Sequence, residues 1–131
     1  MRTPLPDITD AGRNVLQIEA EALARMAANP PGDFSAVVER ILQLDGRVIV
    51  SGIGKSGHIA RKISATLAST GTPSYFVHPA EASHGDLGMI TRADLCLLIS
   101  NSGEATEMRD MVAYTRRFSI PLVAISSKPD T

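Results

Sequence analysis

Two short runs of small and hydroxylated residues carry the clearest chemistry in this sequence: Ser51-Gly52-Ile53-Gly54-Lys55-Ser56-Gly57 and Ser100-Asn101-Ser102-Gly103-Glu104. Each lies between a strongly apolar run and a stretch of helix formers, the position of a strand-to-helix turn. Glycines let the backbone approach an anion, the N–H groups and dipole of the following helix attract it, and serine hydroxyls donate to phosphate oxygens. A single such loop is better explained as a serine-capped turn. Two at the same end of one sheet favour an anion site, with Ser51, Ser56, Ser100 and Ser102 as its candidate donors. Lys55 opens a helix, where a cation opposes the macrodipole at a cost of a few tenths of a kcal/mol. Alone it reads as a solvated lysine; beside two anion-cradling loops it becomes a candidate for holding phosphate or stabilising a substrate oxygen.

Competing motifs fare less well. Gly52, Gly54 and Gly57 match G-x-G-x-x-G, but a dinucleotide site expects an acid about 20 residues on, at the end of the second strand. That strand ends in Val77-His78-Pro79, and the nearest acid, Glu81, is already inside the next loop. A phosphate-binding loop of the nucleoside-triphosphatase kind would need a glycine where Ile49 stands. His78 and His84, with Glu81 and Asp86, share one loop and could transfer protons or hold a metal ion. Two histidines without strict spacing do not make a closed zinc site. Glu104 and Glu107 follow the second glycine loop, where acids suit any helix N-terminus and one could serve as a base. Cys96 reads as a small core residue, and Met89, Met108 and Met111 as packing residues.

The elements that must position these groups alternate in period. The spacing predicts a helix over Val15 to Ala28, stopped by Asn29-Pro30-Pro31-Gly32, and a second one capped by Asp33 with Phe34, Val37, Val38, Ile41 and Leu42 on one face. A strand buried on both faces follows at Arg47 to Ser51, then a helix over Lys55 to Ser69 and a strand over Ser74 to Val77. His78 to Ile90 reads as a loop, Asp94 to Ser100 as a strand, Glu104 to Phe118 as a helix, and Ser119 to Ser126 as a last strand. The implied fold is α/β: a doubly wound, flavodoxin-like parallel sheet in α-β-α layers, with two helices over residues 1–46 ahead of a four-stranded core over 47–131. Ligands of such sheets bind beyond the carboxyl ends of the strands.

Composition removes several classes of function. With 131 residues, 44% hydrophobic and 21% charged, the chain has material for one core. A net charge of -1 lacks the basic excess of a nucleic-acid binder. No segment reaches the ~20 apolar residues of a membrane span, and the amino terminus lacks a signal peptide's apolar stretch. A single cysteine suits a reducing compartment, so the expected location is the cytoplasm. The absence of Trp, with only two Tyr and three Phe, disfavours recognition by stacked rings.

The run VIVSGIGKSGHIARKISATLASTGTPSYFVHPAEASHGDLGMI, followed by ISNSGEATEM, closely resembles the sugar isomerase (SIS) domain of bacterial arabinose-5-phosphate isomerases. The resemblance covers about Leu42 to Ser126 and the two leading helices suit it. It implies an enzyme that interconverts D-ribulose 5-phosphate and D-arabinose 5-phosphate, supplying the precursor of Kdo for lipopolysaccharide or capsule. By motif it implies catalytic roles for Lys55 and Glu107; the chemistry of the side chains makes His84 and Glu107 the candidates for proton transfer. Gly71, Thr72, His84 and the helix start at Asp110 resemble substrate-contacting positions. His78 resembles a position where members can bind zinc, which turnover does not need, so no cofactor is expected to be required. Members are tetramers whose sites are completed by neighbours, so a homo-oligomer is expected, with a phosphosugar as ligand. Members also continue with a further strand, helices and often paired CBS domains. The 131 residues therefore read as the front of a SIS domain without CBS domains, inactive alone. A non-catalytic phosphosugar sensor and an isomerase of another phosphosugar are the alternatives, though the leading helices offer no basic face for DNA.

Overall fold

The computed structural model describes residues 2–83, 85–103 and 106–128. The chain divides into two compact units, Met1–Ala36 and Val37–Thr131.

The first unit is dominated by helix α1, Ile8–Ala28. It starts seven residues before the expected Val15 because the Asp7 carboxylate caps it, accepting from the N–H groups of Thr9 at 3.0 Å and Asp10 at 3.3 Å. Asp10 in the first turn and Arg25 in the last complement the macrodipole, and Asn29 ends the helix before the prolines. No residue of α1 is buried, and Ile8, Val15, Leu16, Ile18, Leu23 and Met26 are all exposed.

The second unit holds most of α2 (Phe34–Leu42), then β1 (Val48–Gly52), α3 (Gly54–Ser69), β2 (Ser74–Phe76), α4 (Pro79–Ser83), β3 (Leu95–Ile99), α5 (Arg109–Arg117) and β4 (Leu122–Ile125). The strands form one parallel sheet in the order β2-β1-β3-β4. The reversal of order between β1 and β3 is the switch point beside which an α/β sheet takes its ligand. Successive strand residues face opposite sides, which generates two cores. Ile49, Cys96 and Leu98 pack with Ala82 of α4 and Met111 of α5 on one face. Val48, Val50, Leu95 and Leu97 pack with Ala60 and Ile63 of α3 on the other, where Ile41 also reaches the core. This is the expected α-β-α layering, and β1 is buried throughout, as a strand covered on both faces must be.

Three local expectations change. Phe34, Val38 and Leu42 are exposed, so the apolar face expected for α2 is largely uncovered in this chain. The loop over His78 to Ile90 contains α4 and a 3-10 turn, Asp86–Met89. Pro79 supplies the fixed φ of a first helical residue, a local signal for that short helix. The helix expected from Glu104 instead begins as a 3-10 turn, Thr106–Met108, and turns α-helical only at Arg109.

At the amino edge of the sheet, Asp94 is almost fully buried. Its carboxylate accepts from the backbone N–H of Arg47 at 2.7 Å and of Thr91 at 2.8 Å, and from the Thr91 hydroxyl at 3.2 Å. The Arg47 guanidinium, 3.7 Å away, adds opposite charge. The neighbouring strands β1 and β3 are thereby clamped where both begin. Gly46 is required there, because a Cβ would lie 2.4 Å from Asp94 Oδ1.

Cys96, central in β3, is fully buried, and desolvation first, with the nearby Asp94 charge second, raises its thiol from 9.0 to about 12. The thiolate is the reactive form, so iodoacetamide at pH 8 is expected to label Cys96 only after denaturation, as mass spectrometry would register. The native state keeps this proton above pH 9 while the unfolded chain loses it, so Cys96 makes stability fall as pH rises from about 9 toward 12. Among the described residues, no helix is long and apolar enough to cross a membrane.

Candidate functional site

Because Gly52 pairs with Ile99, β1 and β3 end level with one another, and both glycine loops leave the sheet side by side at the switch point. In the first loop, Gly54 has φ +57 and begins α3; in the second, Gly103 has φ +69. Both turns therefore use a left-handed residue that glycine supplies without strain. Ile53 precedes α3 without any side-chain cap, and no acid lies in the helix's first turn, so the N-terminal N–H groups are not answered by a side-chain cap. Lys55 is exposed in that first turn, and Ser56 is half-buried beside it.

Gly52 and Gly57 serve packing. A Cβ on Gly57 would come within 2.6 Å of the Gly52 carbonyl oxygen, and one on Gly52 within 2.9 Å of Ser56 backbone. Helix α3 is thus pressed onto the end of β1, which explains the G-x-G-x-x-G spacing without a dinucleotide. Gly57→Ala is expected to lower stability by about 1–3 kcal/mol, read from the urea midpoint, despite alanine's better helix propensity.

The serines divide by role. Ser51 is fully buried, and its hydroxyl donates to the Val77 carbonyl at 2.5 Å, so it ties β1 to the end of β2 and is not presented to a ligand. The reading of Ser51 as an anion donor is corrected on that ground: its proton is already used inside the core. Ser100 accepts the Gly103 N–H at 3.1 Å, shaping the second loop, and the Asn101 carbonyl accepts from Ser127 N–H at 3.1 Å. Ser102 lies between them in the loop.

Glu107 is exposed in the 3-10 turn, held beside Thr106, whose hydroxyl donates to Oε2 at 3.3 Å; the buried Met108 anchors that turn. Asp110, in the first turn of α5, accepts from the Ser83 hydroxyl at 2.6 Å. This bond joins α4 to α5 over an open hollow of about 330 Å³ that includes Leu87, Tyr114 and Arg117. Nothing in the sequence links Ser83 to Asp110, because the pair is distant in sequence and meets only when α4 and α5 pack on the same sheet face. His84 and Glu104 lie outside the described residues.

Gly71 and Thr72 stand apart from the other candidates. They precede β2, and the carbonyl of the next residue, Pro73, accepts from Val48 N–H at 2.9 Å where β1 begins. They therefore occupy the amino edge of the sheet, a strand's length from the glycine loops, and one chain does not bring them to the same ligand. A larger groove of about 640 Å³ runs from Ser100 and Gly103 between α5 and β4, lined by Leu98, Val112 and Leu122 with Arg116 among its polar residues. Neither Lys55 nor Glu107 borders it, so it adjoins the candidate site without containing it.

Among the described residues, no three of His, Cys, Asp or Glu converge on one point. His78, moreover, accepts the Ala80 N–H on Nδ1 at 3.1 Å.

The chain is 52% identical over 128 residues to the arabinose 5-phosphate isomerase KdsD of Yersinia pestis, covering 98% of this chain and 39% of that protein. It is 47% identical over 125 residues to the protein of the same name from Escherichia coli K12, covering 95% of this chain and 38% of that one. It thus spans well under half the length of these relatives. A solved Escherichia coli CFT073 protein in complex with arabinose 5-phosphate superposes with a TM-score of 0.86 at 36% identity, over 96% of this chain and 69% of that one. Residues 41–131, most of the sequence and all of the βα core, match the SIS domain family, and the chain belongs to it.

Proposed function

We propose that the protein carrying this sequence is an aldose-ketose isomerase that interconverts D-ribulose 5-phosphate and D-arabinose 5-phosphate through an enediol. The observation that carries this reading is the pairing of Gly52 with Ile99, which makes two anion-suited loops neighbours, one leading to Lys55 and the other to Glu107. The relatives' names and the complex of the Escherichia coli CFT073 protein supply the substrate class.

In this reading, Ser56, Ser102 and the uncapped N–H groups of α3 hold the phosphate, with Ser100 shaping the second loop. A base, Glu107 or His84, takes the C2 proton of the aldose and a proton is returned to C1, while the oxygen proton shifts from O2 to O1. Lys55 stabilises the oxyanion that develops between them. No metal is required for any of these steps. The protein works as a homo-oligomer, a tetramer by family resemblance. The exposed apolar residues of α1 and the position of Gly71 and Thr72 support that: these two can reach a substrate only from a second copy. The reaction takes place in the cytoplasm.

Incubating the complete protein with ribulose 5-phosphate and following arabinose 5-phosphate by ¹³C NMR tests this. Conversion is the expected result; binding without conversion would make it a phosphosugar sensor.

A further inference from the structure

Helix α5 follows the turn that bears Glu107, and two kinds of contact set its place. Met108 and Met111 are buried against the sheet, in one core with Ile49, Leu98 and Ala82 of α4. Apolar contact of this kind draws the helix onto the sheet but is non-directional, so it does not fix the helix's rotation about its own axis. Nor does α5 carry a cap of its own: Met108 stands at the N-cap with helical backbone angles and no side-chain hydrogen bond.

The directional contact comes from α4. The Ser83 hydroxyl lies 2.6 Å from Asp110 Oδ2 and 3.2 Å from the Pro79 carbonyl of its own helix. A hydroxyl has one proton, and the shorter bond, to a carboxylate, is the stronger, so the proton goes to Asp110. Ser83 is itself firmly placed, because Pro79 and the adjacent Ala82 seat α4 in the core. Asp110 comes three residues after Glu107, and residues three apart stand above one another on a 3-10 turn or at the start of an α-helix. A rotation of α5 that carried Asp110 away from Ser83 would swing Glu107 with it.

We infer that Ser83 is a positioning residue for Glu107: its hydroxyl, bonded to Asp110, fixes the rotation of α5 and with it the direction of the Glu107 side chain. The role in turnover rests on the function proposed above; the bond does not. In the complete protein, Ser83→Ala is expected to lower kcat for ribulose 5-phosphate about tenfold with KM within about twofold of wild type, since a small misplacement of a reacting group is enough for such a loss. Ser83→Thr keeps the hydroxyl and should recover kcat to within about threefold of wild type. In the Glu107→Gln background, Ser83→Ala should have no further effect on kcat, because a residue that acts through Glu107 then has nothing left to position.

An undiminished kcat in Ser83→Ala, a loss carried by KM, no recovery in Ser83→Thr, or a second tenfold loss on top of Glu107→Gln each overturns the positioning role. Urea unfolding of Ser83→Ala, Asp110→Ala and the double variant reads the bond itself. The double variant's midpoint should fall by less than the two single shifts together, since the second substitution removes a partner already lost; additive shifts would show that the two side chains are not bonded. If the wild-type protein converts no ribulose 5-phosphate, the isomerase reading and the positioning role fall together, and the urea measurements still decide the bond.

Discussion

Glu107→Gln in the complete protein is expected to reduce kcat by about 10²–10⁴-fold with KM changed much less. That is the range for losing a positioned acid or base. The substitution keeps the shape of the side chain and its contact with Thr106, and leaves both glycine loops intact, so binding should persist while proton transfer fails. Lys55→Ala is expected to reduce kcat/KM by about 10²–10³-fold, the usual loss when one group stabilising a developing oxyanion is removed. Steady-state assays of both variants check the assignment. A kcat within about threefold of wild type for both, roughly 0.65 kcal/mol, would remove these residues from the chemistry.

The largest effect on stability is expected far from that chemistry. Asp94→Ala removes the shared acceptor of two backbone N–H groups, the Thr91 hydroxyl and the half-exposed Arg47 guanidinium, at a carboxylate that is itself buried. Breaking one side of such a buried cluster costs about 3–5 kcal/mol, a large part of the stability of a domain this size. Asp94→Asn should cost less, because one carbonyl oxygen can still accept. Urea unfolding measures both, and Asp94→Ala within about 1 kcal/mol of wild type would show that β1 and β3 are held in register without this clamp. At temperatures where the variants stay folded, ligand affinity should be unchanged, since Asp94 and the glycine loops lie at opposite ends of the strands.

Much of the fold is legible in the order of residues because its causes are local. RVIVS is short, β-branched and bounded by Asp45-Gly46 and the glycine loop, which suits a buried strand, and Asn29-Pro30-Pro31-Gly32 cannot continue a helix. The glycine loops are legible for the same reason, since a left-handed residue at Gly54 and Gly103 is a requirement of the turn itself. Capping by Asp7 is equally local but is masked by Pro4 and Pro6, which suggest an irregular leader. The 3-10 turn at Thr106–Met108 is not readable from propensity, because the burial of Met108 against the sheet, a tertiary contact, decides where α5 begins.

By itself the sequence determined which residue types could do chemistry, the alternation of strand and helix, and the family, through motifs whose glycines and hydroxyls are needed one by one. Only the tertiary structure decided which of those residues share a site. Parallel pairing of β1 with β3 sets Gly52 against Ile99 and so joins the two loops. The same parallel direction sends Gly71 and Thr72 to the far edge, turns Ser51 inward to Val77, and places Ala80 N–H against His78 Nδ1. Side-chain type is a property of each position, whereas direction and partner arise from strand register and helix packing, which no single segment contains.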